Sequence, residues 1–271
     1  MNLNGKRIVL TGAAGGVGQL LALALSNKGA KLALVDRDGA RLAALCEKIT
    51  QSGAIAIAIV SDFHATEAIS DPAQKVVDDV TNCLGAIDIL INSAGIGDFT
   101  LLSEQSTARI AQMMHINATV PIQLTHALLP GFLARKSGQI VNVGSIFGSI
   151  GFPHYATYSA SKFALRGFSQ ALRRELIDSG IVVTYIAPRA IKTPMNDQAA
   201  SKMLAATNTA MDDPQVVVAQ IIKAIEAEKY EHYIGQPESF FAWLNGFLPC
   251  AVNMGLKKQA RIARQFIVSK N

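Results

Sequence analysis

Seven short runs of β-branched and apolar residues punctuate the chain, at 8–10, 32–35, 55–60, 87–91, 140–143, 182–186 and 232–234. Several are apolar on both faces, which suits strands buried on both sides of a parallel sheet. Between the first two, Val17, Leu20, Leu21, Ala24 and Leu25 form a helical stripe, with Lys28 and Gly29 as its stop. Leu42, Leu45 and Ile49 repeat the helical period, as do Val217, Ile221, Ala224 and Ile225. Strands alternating with helical crossovers predict a doubly wound α/β fold, a parallel seven-stranded sheet of Rossmann type. No linker or break in composition divides the chain before about residue 236. Residues 1–235 therefore read as one domain and 236–271 as a helical C-terminal extension.

That extension has its own pattern. Phe240, Trp243, Leu244, Phe247 and Leu248 make an apolar stripe at helical spacing up to Pro249. Beyond it Leu256, Ala260, Ala263 and Ile267 line one face, while Lys257, Lys258, Arg261 and Arg264 gather elsewhere. A basic amphipathic pattern of this kind fits a helix pair packed over a pocket or a neighbouring subunit. It also fits peripheral contact with anionic lipid through 240–267.

Composition narrows the alternatives. The chain has 271 residues, half of them hydrophobic and 17% charged, enough for a large core and too apolar for disorder. The net charge of +5 is uneven. Residues 236–271 carry five basic groups against Glu238 alone, leaving the rest close to neutral and without a nucleic-acid footprint. Cys46, Cys83 and Cys250 are odd in number and lack metal-ligand spacing, and no His, Cys or carboxylate set suggests a metal. The three cysteines read as buried or free thiols in a reducing compartment. With no apolar signal core at the start and no uninterrupted apolar run of spanning length, the expected location is the cytoplasm, peripheral membrane contact aside.

Candidate chemistry begins after the first strand, where Thr11-Gly12-Ala13-Ala14-Gly15-Gly16-Val17-Gly18 runs into a helix. Glycines admit a pyrophosphate close to the backbone, and the helix N-terminus supplies N–H donors and positive dipole. The spacing alone fits two glycine registers, Gly12, Gly16, Gly18 and Gly12, Gly15, Gly18. The second strand ends at Asp36, eighteen residues past Gly18, where a carboxylate accepts the hydroxyls of an adenosine ribose and repels a 2′-phosphate. Asp38 fits a helix cap better. Arg37 keeps the alternative open, because a guanidinium pairs well with phosphate. The acidic residue favours NAD, with NADP possible. Far downstream, Tyr158 and Lys162 lie four apart, one helical turn, thirteen residues after Ser145. A Lys162 ammonium favours the phenolate, so Tyr158 is expected to sit below the ordinary tyrosine pKa of about 10.

Taken together these motifs resemble the short-chain dehydrogenase/reductase family, in its short single-domain branch, over about residues 5–235. The glycine turn resembles its cofactor turn, which selects Gly12, Gly16, Val17 and Gly18. Asn92-Ser93-Ala94-Gly95 resembles the family's Asn-Asn-Ala-Gly motif, placing Asn92, Ala94 and Gly95 at the cofactor. Asp62 and Phe63 resemble the pair at the adenine. Asn117, Ser145, Tyr158 and Lys162 match its catalytic tetrad. Pro188, Ile191 and Thr193 match the segment at the nicotinamide carboxamide. Arg189 stands where that segment has a glycine, either ion-paired within the protein or touching an anionic part of a ligand.

The resemblance implies hydride transfer between nicotinamide and a carbonyl or carbinol carbon. Tyr158 would be the general acid/base, Lys162 would hold the nicotinamide ribose, Ser145 would bond the substrate oxygen and Asn117 would position a water. Ile146, Phe152, His154, Tyr155 and Met195 would wall the substrate, with the region after Thr193 as a lid. The apolar lining points to a small hydrophobic alcohol or ketone, and the expected assembly is a homodimer or homotetramer. The rival reading is a non-catalytic dinucleotide-binding redox sensor.

Overall fold

The computed structural model describes residues 1–64, 72–195 and 198–267. In chain order the strands are β1 (Arg7–Thr11), β2 (Lys31–Asp36), β3 (Ala56–Val60), β4 (Ile89–Asn92), β5 (Gly138–Val143), β6 (Ile181–Pro188) and β7 (Glu231–Ile234). The helices are α1 (Gly16–Ser26), α2 (Gly39–Gln51), α3 (Pro72–Leu84), α4 (Thr107–Met114), α5 (Val120–Arg135), α6 (Ala156–Glu175), α7 (Gln198–Ala206), α8 (Pro214–Glu226), α9 (Glu238–Asn245) and α10 (Pro249–Arg264). All seven expected strands form, and they pair in parallel in the order β3-β2-β1-β4-β5-β6-β7. This is the doubly wound α/β sheet expected from the alternation.

Successive strand residues feed opposite faces, as the period of two requires. Ile8, Leu10, Leu32 and Leu34 pack with Leu21, Leu25, Leu42 and Ile221 on one side of the sheet. Val9, Ala33, Val35 and Leu90 pack with Val76, Val80, Leu124 and Phe132 on the other. Within α1 the buried stripe is narrower than the sequence suggested. Leu21, Ala22 and Leu25 are buried, whereas Val17, Leu20 and Ala24 are only half covered. A Leu21→Ala change would cost about 2–5 kcal/mol, the usual range for a buried leucine.

Strand order reverses between β1 and β4, whose carboxyl ends open the crevice where parallel sheets bind ligands. Two interactions lock that point. The Thr11 hydroxyl accepts the backbone N–H groups of Ser93 and Ala94, each at 3.1 Å. Gly12, at φ +70°, presses its backbone against Ala94, and a Cβ there would lie 2.8 Å from Ala94 N and Cα.

Past β7, α9 and α10 fold back over the domain. Val252, Ala242, Leu244 and Leu256 pack on Ile146 and Ile150, and Ala263 packs with Ala200, Met203 and Leu204 of α7. The second apolar stripe of the sequence thus faces inward. Of the first, Leu244 alone turns inward, while Phe240, Trp243, Phe247 and Leu248 remain exposed. Residues 268–271, including Lys270, the fifth basic residue of the 236–271 segment, lie outside the described residues, as do Asn196 and Asp197 after Thr193.

Candidate active site

A cleft of about 520 Å³ follows the carboxyl ends of the strands, from Asp36, Arg37 and Asp62 past the glycine turn to Ser145, Tyr158 and Lys162. That volume lies within the ~300–1,000 Å³ usual for small-molecule and cofactor sites. At its centre no side chain caps the start of α1 and no acidic residue sits in its first turn, so the helix's leading N–H groups are left for a ligand. Gly18 must be glycine, because a Cβ would run into the carbonyl oxygen of Gly12. A Cβ on Gly16 would face the Thr193 side chain at 3.2 Å, across the cleft both residues line.

At one end, Asp36 is held by two backbone donors, Ala14 N at 3.0 Å and Asp38 N at 3.2 Å. Two bonds fix the carboxylate and leave lone pairs for a diol. Asp38 caps α2 through Arg41 N at 3.0 Å, as its position suggested. The neighbouring Arg37 is engaged within the protein. Its Nη1 lies 3.0 Å from His64 Nε2, and His64 Nδ1 lies 2.8 Å from Asp62 Oδ1. A neutral ring satisfies both contacts if Nδ1 carries the proton, donating to Asp62 and accepting from Arg37. Burial tends to raise Asp62, but the bonds from His64 and the Arg37 charge outweigh it and hold the carboxyl below its ordinary value. Phe63 is buried against the core and also lines the cleft.

At the other end, Ser145 follows β5 and opens a short 3-10 turn (Ile146–Gly148), its hydroxyl accepting from Phe147 N at 3.1 Å. Fully buried Tyr185 fastens this corner by donating to Ser145 O at 3.1 Å. Tyr158, in the first turn of α6, shares a hydrogen bond with the Ser145 side chain. Lys162 stands one turn later, 5.8 Å from the Tyr158 ring centroid, with Nζ donating to Val143 O at 3.2 Å. Burial pushes Lys162 down to about 8.

The expectation for Tyr158 itself is reversed. Part of its surface faces the cleft, but its hydroxyl lies deep among protein atoms, and burial raises the phenol above its ordinary value while the Ser145 bond works against the rise. The cause is shared with Lys162, since one desolvated corner penalises both charged forms.

Asn117 reaches the same corner from a π-helical turn (His115–Thr119) between α4 and α5. Its amide clamps the β4 loop, accepting from Ile96 N and donating to Ile96 O, both at 2.8 Å, and donates to Ser161 Oγ at 3.0 Å. A Cβ on Gly95 would sit 3.3 Å from Asn117 Oδ1 and 3.5 Å from Lys162 Nζ, so these two groups flank it.

Most of the expected cofactor residues line the cleft: Gly12, Gly16, Val17, Gly18, Asp36, Arg37, Asp62, Phe63, Ala94, Gly95, Tyr158, Lys162, Pro188, Ile191 and Thr193. Asn92 does not. Its side chain turns into the sheet and donates to Asn142 Oδ1 of β5 at 2.8 Å. Of the residues expected to wall the substrate, Ile146, Tyr155 and Met195 line the cleft, but Phe152 and His154 do not. Phe152 stacks on Phe147 at 5.1 Å, and it is Phe147 that faces the cleft. His154, at φ +68°, packs edge-on to Phe99 at 5.9 Å and bonds the Ala260 backbone of α10. Arg189 is ion-paired, doubly to Asp212 at 2.7 and 3.0 Å, and to Glu238 at 2.8 Å. Its backbone N donates to Ile234 O at 3.2 Å, and its φ is not positive. Among the described residues no cluster of His, Cys, Asp or Glu could hold a metal, and no helix is long and apolar enough to cross a membrane.

Residues 6–204 match the family model described as short chain dehydrogenase. The chain belongs to the short-chain dehydrogenase/reductase family. It is accordingly an oxidoreductase. It is 33% identical over 237 residues to a ketoacyl reductase of Nostoc, a match covering 86% of this chain and 80% of that one. It is 30% identical to a 3-oxoacyl-(acyl-carrier-protein) reductase of Vibrio harveyi, over 82% of this chain and 90% of the relative. Two crystal structures share its fold. A short-chain dehydrogenase/reductase from Burkholderia phymatum, solved in complex with NAD, has a TM-score of 0.82 at 21% identity, covering 93% of this chain and 96% of that one. A short-chain dehydrogenase from Streptomyces avermitilis has a TM-score of 0.77 at 26% identity, covering 97% and 99%.

In this short-chain dehydrogenase/reductase, sequence reasoning passed over His64 and Phe99, and within the expected 146–155 wall it singled out Phe152 instead of Phe147; His64, Phe99 and Phe147 all line the cleft. The aromatic spacing of Phe147, Tyr155 and Tyr158 along α6 and its approach was the available signal for one of them. Their ring centroids lie 5.2–6.2 Å apart. His64 carried no such signal.

Proposed function

We propose that this protein interconverts a hydrophobic ketone and its alcohol with a nicotinamide dinucleotide, preferring NAD. The observation that carries the reading is the convergence of Ser145, Tyr158 and Lys162 in one cleft with a glycine turn at an uncapped helix N-terminus. The residues present fit the dinucleotide. Asp36 would take the adenosine ribose, Asp62 and Phe63 the adenine, and the turn from Gly12 to Gly18 the pyrophosphate. Ala94, Gly95, Tyr158 and Lys162 would hold the nicotinamide ribose side, and Pro188, Ile191 and Thr193 the carboxamide. When bound, the dinucleotide supplies or accepts the hydride.

The protein's own part is to orient a carbonyl and move one proton. Ser145 donates to the substrate oxygen, and the Tyr158 hydroxyl delivers the proton as that oxygen gains negative charge. A phenol held in its protonated form by burial suits this donation. In the opposite direction the Lys162 ammonium stabilises the phenolate. Phe99, Phe147, Tyr155, Met195 and Leu204 offer an apolar wall to the rest of the substrate, and the ketoacyl reductase relatives favour a carbonyl on an acyl-like chain.

The test is steady-state turnover on ketones and alcohols of graded chain length with both dinucleotides, for the native protein and Tyr158→Phe. The variant should bind dinucleotide normally and lose about 10²–10⁴-fold in kcat. Near-native turnover in Tyr158→Phe would refute this assignment. Dinucleotide binding without turnover on any carbonyl would instead favour the redox-sensor reading, which has no need of an acid/base tyrosine. The reading includes a homo-oligomeric assembly, to be measured by sedimentation.

A further inference from the structure

The outer face of the C-terminal hairpin is unlike the rest of the surface. Phe240, Phe241, Trp243, Phe247, Leu248 and Met254 each leave between 44% and 69% of their area exposed. The four aromatic rings among them are contiguous, Phe240 with Phe241 and with Trp243 at 5.8 Å each and Trp243 with Phe247 at 5.1 Å between centroids. Single exposed apolar residues are ordinary, but a continuous aromatic patch marks an interaction site.

Charge says what covers it. On α10 the inward row is Val252, Leu256, Ala260 and Ala263, and the opposite row runs from Met254 into exposed Lys257, Lys258 and Arg261. Among the described residues neither these three nor Arg264 has an ion-pair partner. The one acid of the segment, Glu238, is already committed to Arg189. The patch is therefore apolar at the tip, where α9 meets α10, and uniformly cationic just behind it. A second copy docked by two-fold symmetry would set the same cationic row beside itself. An anionic bilayer matches both parts, taking the aromatic tip into its interface and the basic row at the headgroups.

We propose that this outer face of α9 and α10 docks on anionic lipid. The inner face of the same hairpin packs on Ile146 and Leu204, which line the substrate end of the cleft, so docking would bring that end close to the bilayer. The proposal goes beyond the catalytic reading and does not depend on it.

Trp243 is the chain's sole tryptophan, so its emission reports directly on the patch. The experiment mixes the full chain with vesicles of equal phosphatidylglycerol and phosphatidylcholine, or of phosphatidylcholine alone, at low and high salt. Expected are co-sedimentation and a blue shift of Trp243 with the anionic vesicles, both weakened by salt. Lys257→Gln/Lys258→Gln/Arg261→Gln should weaken partitioning about 100-fold, at roughly fivefold per basic group. Phe247→Ser/Leu248→Ser should remove the blue shift. Both variants should retain native thermal stability and native circular dichroism, which shows that they are folded. The proposal is overturned by full-length protein that stays in the supernatant with anionic vesicles at low salt, or by undiminished binding of the triple variant. It is equally overturned if Trp243 shifts only with protein concentration and Phe247→Ser/Leu248→Ser dissociates an oligomer, which assigns the patch to a second copy.

Discussion

Arg37 does not face the cleft freely: its Nη1 sits 3.0 Å from His64 Nε2, and His64 in turn is tied to Asp62. The group that would read a 2′-phosphate is thus occupied, while Asp36 beside it is oriented by two backbone donors.

This arrangement predicts NAD preference and the route to reversing it. Asp36→Ala should lower kcat/KM for NAD about 10–100-fold, the loss of one or two charge-assisted hydrogen bonds, and raise it for NADP. His64→Ala should release Arg37 and improve NADP several-fold with NAD little changed. The check is kcat/KM for both dinucleotides in all three proteins. A native enzyme that already favours NADP tenfold would make Arg37 the reader.

Lys162 gives a pH signature. Its pKa is lowered from 10.5 to about 8 by burial. Below about 8 it is protonated in folded and unfolded chains alike, and the desolvation cost is fully present. Between about 8 and 10.5 the folded state has released the proton and the unfolded state has not, so this cost fades as pH rises. Lys162→Met should therefore be inactive but more stable than the native protein at pH 7, by up to roughly 3 kcal/mol before the lost Val143 bond is subtracted. Its advantage in Tm should shrink steadily toward pH 10.5. A difference that does not change with pH would show that the amine is not buried as described.

Asn117 should matter for stability as well as turnover. Asn117→Ala strands Ile96 N–H and C=O, at about 1–3 kcal/mol for each group left unpaired. Urea unfolding should show a loss of roughly 2–4 kcal/mol, and calorimetric titration a weaker dinucleotide affinity, because the Gly95 loop is no longer held.

Arg189 ties β6 to the start of α9 through Asp212 and Glu238, with side-chain exposures of 13%, 14% and 23%. Arg189→Met leaves two half-buried carboxylates uncompensated, at roughly 2–3 kcal/mol, between the exposed and fully buried cases. Limited proteolysis should then cut near residue 236 in preference to the native pattern. A double-mutant cycle with Glu238→Gln isolates the shared part.

What could be read in advance was whatever depends on local spacing. The strands showed themselves because buried parallel strands are apolar on both faces, and Ser145, Tyr158 and Lys162 because one turn of helix joins two of them. Relations across the fold were opaque. Arg189 finds Asp212 and Glu238 only through a loop and a strand far along the chain. Asn92 and Asn142 meet through the register of β4 and β5. The π-helical turn that aims Asn117 leaves no mark in hydrophobic period, since its one extra residue per turn is absorbed between α4 and α5. Desolvation reversed the Tyr158 expectation because neighbours four apart can be counted in sequence, whereas enclosure cannot. The exposed stripe of α9 reads like any core stripe until one knows which side of the hairpin meets the domain.

The lock between Thr11 and Ala94 spans 83 residues. Until β4 has left the ribosome and paired with β1, the glycine turn lacks the backbone wall that shapes it. A nascent chain or an amino-terminal fragment ending before β4 should therefore retain no dinucleotide, and the ligand can select only completed molecules. Binding free energy then adds to the global free energy of unfolding as a whole, not to one half of the sheet. Supplying the missing half as a separate polypeptide should restore binding and cooperative unfolding together, or neither.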